Sequence, residues 1–302
     1  MFCQKKQVRQ SRIITLFQLT RSRQDLYLNV FLKINGYFSF LAVFLIFLFI
    51  GKESIVALSG HSTAFIFDKS WFPSEGQFNT VPMIAGTLIV TFGSVILALP
   101  LGIISSLFAN FYCPPRIKIF YRRAIELYTG IPSVVFGFWG LMKLVPIINE
   151  FQPPGQSLLA GILVLALMIF PIITLSLISS FEMASKNHFK VSESLGLKKS
   201  TYIWFVLLPS LKGQILGATI LSTGRAIGET MAVLMVCGNI VKIPSSVFEP
   251  VRTLTANIAL EMAYAMGTHR SALFLSGLIL LIMIGFLLLL SDTLKKRFAW
   301  KD

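Results

Sequence analysis

Charge is scarce in this sequence. Only 13% of its 302 residues are Asp, Glu, Lys or Arg, and 55% are hydrophobic, against about 25% charged in an ordinary soluble domain. Too little polar surface exists to clothe a water-soluble globule, and the apolar residues fall in long blocks, so the solvent they imply is a bilayer. Cysteine is almost absent. Cys3, Cys113 and Cys237 are scattered without metal-ligand spacing, which excludes a disulfide framework and leaves them as reduced or buried thiols. His61, His188 and His269 stand apart from one another and from any cysteine pair. No G-x-x-x-x-G-K-[ST], H-E-x-x-H or G-x-S-x-G occurs, so ATP binding by a phosphate loop, zinc proteolysis and serine hydrolysis are excluded. The chain is expected to carry no catalytic residue, no metal and no cofactor of its own. Internal repeats and low-complexity segments are lacking too, and no cleavable leader is evident. The first apolar run starts only after a basic tail of about 33 residues and reads as an uncleaved anchor.

The charge that is present is mostly positive: 27 Lys and Arg against 13 Asp and Glu, a net +14. Its placement excludes a nucleic-acid stripe. Basic residues crowd the tail (Lys5, Lys6, Arg9, Arg12, Arg21, Arg23, Lys33), then 116–123, 186–212 and 295–301, always at the ends of apolar blocks. Lys and Arg retained on the cytoplasmic side of a membrane explain that pattern.

Six spanning helices are expected, at 31–50, 83–112, 124–147, 157–181, 214–238 and 271–291, each near or above the roughly 20 residues a bilayer core requires. The third is interrupted by Pro132 and Pro146. Six crossings put both termini and every basic segment on the cytoplasmic face. The organisation expected is a tail at 1–33, a first spanning helix and outer loop at 34–82, a main transmembrane region at 83–293 holding a cytoplasmic link at 182–212, and a tail at 294–302. The outer segments 51–82 and 239–270 are each long enough for a short helix lying on the bilayer. The stretch from Gln7 to Lys33 is either an interfacial helix or a disordered basic arm.

Within the fifth apolar block lies Gly224-Arg225-Ala226-Ile227-Gly228-Glu229-Thr230-Met231. Charges at such depth are costly and face a protein interior or a wet pathway. Arg225 and Glu229, four apart, are placed to pair on one helix face. The pair is either purely structural, or part of an anion pathway in which Arg225 offers its fork of donors to an oxyanion. In the pathway reading Glu229 holds Arg225 between substrates and accepts a hydrogen bond from the protonated oxygen of hydrogen phosphate, which sulfate lacks. Gly217, Gly224 and Gly228 form an adjoining face on which another helix, of this chain or of a partner, can pack closely. The link 182–212 contains Lys190-Val191-Ser192-Glu193-Ser194-Leu195-Gly196 and Val206-Leu207-Leu208-Pro209. It reads as a short helix ending near Gly196 followed by a segment re-entering the membrane, or as a solvated loop.

Gly196, nine residues, then Val206-x-Leu208-Pro209 resembles the cytoplasmic signature of bacterial ABC importer permeases, in which a coupling helix docks on the ATP-hydrolysing subunit. Lys190 stands at the usual Glu position and Val191-Ser192 at the usual Ala-Ala. Gly224 to Val233 resembles the fifth-helix signature of phosphate-specific importer permeases, of the PstC type rather than the sister PstA type. Gly130 to Gly137, Gly86-Thr87-Leu88 and Arg252-Thr253-Leu254-Thr255 support it. The resemblance covers about residues 70–295 and implies an all-α membrane protein with the importer permease fold. It further implies a PstA-like sister permease, two PstB-like ATPase subunits that hold the ATP, and a periplasmic PstS-like phosphate-binding protein. The alternatives are a permease for another oxyanion, sulfate or molybdate, and a membrane scaffold or sensor without transport.

Overall fold

A computed structural model describes residues 2–61 and 68–298, with side chains over 25–55, 70–184, 192, 194–291 and 293. The chain divides into two units, Met1–Lys52 and Glu53–Asp302.

The described residues of the first unit are all helical, part of α1 (Phe2–His61). The tail from Gln7 to Lys33 is therefore helix, not an irregular arm, and no structural break separates it from the span that follows. That span covers Asp25–Ile55, with a mean hydropathy of 2.1 over its most apolar 18 residues. Its few polar groups turn back on the helix: Asn35 donates to the Phe31 carbonyl (2.8 Å) and Ser39 to that of Asn35 (2.9 Å). Such local bonds satisfy groups that lipid cannot.

The second unit opens with a small antiparallel hairpin, β1 (Asp68–Phe72) and β2 (Gln77–Asn79), turned at Gly76 with φ 71°. A hairpin thus occupies part of the outer segment that had room for a short helix. Next come α2 (Val81–Leu107), prolonged by a π turn to Tyr112, and α3 (Pro115–Thr129). Helix α4 (Ser133–Trp139) runs through a π turn into α5 (Val145–Phe151), and α6 (Leu158–Ser194) is the longest element of the unit. The short α7 (Lys199–Tyr202), a π turn and α8 (Leu208–Ser210) lead to α9 (Lys212–Ile227) and α10 (Met231–Val236). The short outer helix α11 (Leu254–Glu261) and the final α12 (Gly267–Phe298) complete the unit.

Among the described residues five helices are long and apolar enough to cross a membrane, and the bent pair Lys199–Ser210 and Lys212–Ile227 makes a sixth crossing if counted as one span. Four of the six expected spans fall where the apolar blocks placed them. The third does not: the crossing is Ser133–Phe151 rather than 124–147. Gly130 closes α3 by donating to the Leu127 carbonyl, and Pro132, which lacks an N–H, precedes a new helix. The fifth is bent by 66° near Leu211 and broken again at 228–230, so 214–238 is not one helix.

Helix α6 is the centre of the unit, with Leu165, Ile169, Ile173, Leu177, Ile178 and Phe181 all at 1% exposure or less. Glycines let α2 approach it. A Cβ at Gly93 would stand 2.6 Å from Ile162, and one at Gly102 would stand 2.6 Å from Ile173. Without a hydrophobic drive between helices in lipid, this backbone proximity supplies the packing. Ser94 adds a bond across it, donating to the Ile162 carbonyl at 3.1 Å.

Candidate functional site: the broken helix at residues 224–231

Helix α9 ends at Ile227 and α10 begins at Met231. Between them Gly228 donates to the Gly224 carbonyl (3.3 Å) and Glu229 to that of Ala226 (3.2 Å), which closes the first helix. The Glu229 carboxylate accepts from the Ala232 N–H at 3.3 Å and Leu234 donates to the Thr230 carbonyl at 2.9 Å, which starts the second. Glu229 therefore binds the first turn of α10 rather than Arg225. The expected Arg225–Glu229 ion pair is absent among the described residues. Four-residue spacing aligns two side chains only on a continuous helix, and the chain leaves helical geometry at Gly228. Arg225 is exposed and has no hydrogen-bond or ionic partner among the described residues.

The stretches singled out in the sequence assemble around this break. Helix α4 lies against α10, since a Cβ at Gly137 would stand 2.8 Å from the Ala232 Cα. Thr255 donates to the Glu229 carbonyl at 2.9 Å. Thr87 accepts from the Leu254 N–H at 3.0 Å, and a Cβ at Gly86 would meet the Arg252 carbonyl oxygen at 2.7 Å. Thr253 caps α11 by accepting from the Ala256 N–H. Of the proposed packing glycines, Gly217 is half-buried and a Cβ at Gly228 would touch only local backbone at 3.7 Å. Gly224 faces open space, with nothing within 4 Å of a Cβ there.

The coupling link differs from its expected form. The helix that ends near Gly196 is not a separate short one: it is the end of α6, closed where Leu197 donates to the Ser192 carbonyl (3.1 Å) and Gly196 turns with φ 70°, and the short α7 follows it. The side chains of Lys190 and Val191 lie outside the described residues. Val206 and Pro209 are exposed and Leu208 is half-buried. Lys199, one of the basic residues of the link, donates to the Phe111 carbonyl at 2.8 Å.

A second cluster went unread in the sequence. Glu261, with 8% of its side chain exposed, receives Arg252 at 2.7 Å, the Trp71 indole N–H at 2.9 Å and the His269 ring at 2.8 Å. Arg252 also donates to the Asn257 side chain and the Asn239 carbonyl. One carboxylate thus ties the hairpin to α11 and α12. No local spacing announces a partner 190 residues away; the available signal was an acid and an arginine flanking a short apolar helix. No group of three or more potential metal ligands exists among the described residues.

Residues 98–299 match the family model described as binding-protein-dependent transport system inner membrane component. The chain belongs to that family. It is therefore a multi-pass permease component of ABC importers, which work with ATPase subunits and substrate-binding proteins. The probable ABC transporter permease protein YqgH of Bacillus subtilis is 35% identical over 96% of this chain and 91% of its own length. The phosphate transport system permease protein PstC of Mesorhizobium japonicum is 35% identical over 77% and 78%, and that of Haemophilus influenzae 31% over 84% and 87%. Among solved structures, an inward-facing MetNI methionine ABC transporter is similar in fold, with a TM-score of 0.56 at 15% identity over 72% of this chain and 94% of that one.

Proposed function

We propose that this chain is the permease subunit of an ATP-driven importer that carries inorganic phosphate inward across the cytoplasmic membrane, with both termini on the cytoplasmic side. The observation that carries the reading is the exposed guanidinium of Arg225, without a partner among the described residues, beside a helix break within the apolar region. An always-charged planar fork suits a tetrahedral oxyanion, and the expense of placing it there is otherwise unexplained. The relatives named for phosphate support the substrate.

In this reading Arg225 attracts phosphate, and Glu229 accepts a hydrogen bond from its protonated oxygen while repelling a fully ionised anion. Because Glu229 is anchored on the Ala232 N–H, it does not compete with substrate for Arg225. A PstA-like sister permease supplies the other half of the path and packs along the Gly217, Gly224 and Gly228 face. Two PstB-like subunits bind and hydrolyse ATP, one of them docking at the link from Lys190 to Pro209. A PstS-like periplasmic protein delivers phosphate. The test is ATP-dependent uptake of labelled phosphate by proteoliposomes holding the whole complex, with sulfate and molybdate as competitors. Uptake that either competitor abolishes at equal concentration reassigns the substrate, and no uptake of any oxyanion favours a scaffold or sensor.

A further inference from the structure

Helix α3 has two faces of opposite character. One is fastened to the rest of the unit. Lys118 donates to Asn110 at 2.9 Å and approaches Glu182 at 3.8 Å, while Arg122 bridges Glu126 at 3.0 Å and Glu182 at 3.5 Å. Tyr121 is hydrogen-bonded to Ser105, and Ile125 is buried. The other face holds Arg116, Ile119, Phe120, Arg123 and Leu127. At 3.6 residues per turn these five fall within an arc of about 100°, opposite the fastened stripe. Phe120 is 74% exposed and Leu127 78%, and neither Arg116 nor Arg123 has a partner among the described residues.

Water does not suit a face with Phe120 and Leu127 so open, and hydrocarbon does not suit Arg116 and Arg123. Guanidinium groups alternating with large apolar side chains fit the layer between the two, where apolar groups enter the acyl boundary and cations meet phosphate headgroups. The position agrees: α3 begins three residues after the span Val81–Tyr112 ends, and the next span starts at Ser133. We infer that α3 is an interfacial helix whose open face binds anionic phospholipid headgroups through Arg116 and Arg123, with Phe120 and Leu127 seated in the adjoining leaflet. It thereby ties the inner ends of α2 and α6, bridged to it through Ser105, Asn110 and Glu182, to the membrane surface. The chemistry is that of the bilayer itself and is independent of the transported substrate.

The experiment uses the whole complex in vesicles of phosphatidylcholine, alone or mixed with phosphatidylglycerol. A spin label is placed at Phe120→Cys in a chain whose Cys3, Cys113 and Cys237 are replaced by serine. Relaxation by a nickel-chelating lipid and by oxygen, exceeding that by a water-soluble nickel chelate, is the expected result. Protection from all three reagents means that a protein subunit covers the face, and relaxation by the soluble chelate alone means a solvated face; either overturns the inference. In a second measurement, native mass spectrometry of the detergent-extracted complex should show phosphatidylglycerol retained by the parent and mostly lost from R116Q/R123Q. Equal retention by an assembled variant overturns the headgroup assignment.

Discussion

Arg225 lies in the last turn of α9, and Glu229, four residues on, lies in the break that follows it. Arg225 closes α9 with its side chain free of partners among the described residues, while Glu229 opens α10 by accepting from the Ala232 N–H. The two charges therefore have separate tasks, and separate substitutions can tell those tasks apart.

Glu229→Gln keeps an acceptor for Ala232 but removes the negative charge. Phosphate uptake by the reconstituted complex should persist at a reduced rate, and sulfate should become a several-fold better competitor, because the repulsion that disfavours a dianion without a proton is gone. Unchanged competition removes Glu229 from selection.

Two glycines make a contrast. Gly137→Ala pushes a methyl to within 2.8 Å of the Ala232 Cα, an overpacking that costs about 1–3 kcal/mol, and should lower the melting temperature of the purified complex. Gly224→Ala meets nothing within 4 Å among the described residues. It should leave the subunit's own fold intact and weaken co-purification of the sister permease, whose helix would lose its closest approach. Normal assembly with Gly224→Ala would place the subunit contact elsewhere.

Glu261→Gln leaves the half-buried Arg252 charge without its counter-ion. Breaking one side of a buried pair costs about 3–5 kcal/mol, and the loss should be local to the hairpin and α11. Phe78, at 2% exposure, reports it: a cysteine at that position should become reactive to thiol reagents in Glu261→Gln and stay protected in the parent.

Lys190 occupies the place where the importer signature carries Glu. Restoring the acid with Lys190→Glu should strengthen docking and raise phosphate-stimulated ATP hydrolysis by the complex several-fold. A fall in hydrolysis would show that this chain's ATPase partner is matched to lysine.

The apolar blocks around Val90, Ile169 and Ile279 revealed their spans because twenty or so apolar residues in a row have few alternatives to crossing a bilayer. The breaks were not legible in the same way. Pro132 was legible as an interruption of the third block but not as the place where the crossing starts, and the break at Gly228-Glu229-Thr230 was read as continuous helix. The link residues Gly196 and Pro209 were legible as punctuation, though the helix before Gly196 proved to be the far end of α6. The Trp71, Arg252, Glu261 and His269 cluster was invisible, since its members are brought together only by the packing of the hairpin on α11 and α12. Arg225 was the exception among site residues: a charge amid apolar neighbours is conspicuous in sequence for the same reason it is costly in lipid.

The central claim is that Arg225 serves the substrate rather than the fold. Its most direct measurement is labelled phosphate uptake by proteoliposomes of the complete complex carrying Arg225→Gln, with subunit stoichiometry determined on the same preparation. Uptake reduced at least tenfold with every subunit present at its normal ratio is the predicted result. Full uptake, or a complex that fails to assemble, would contradict it.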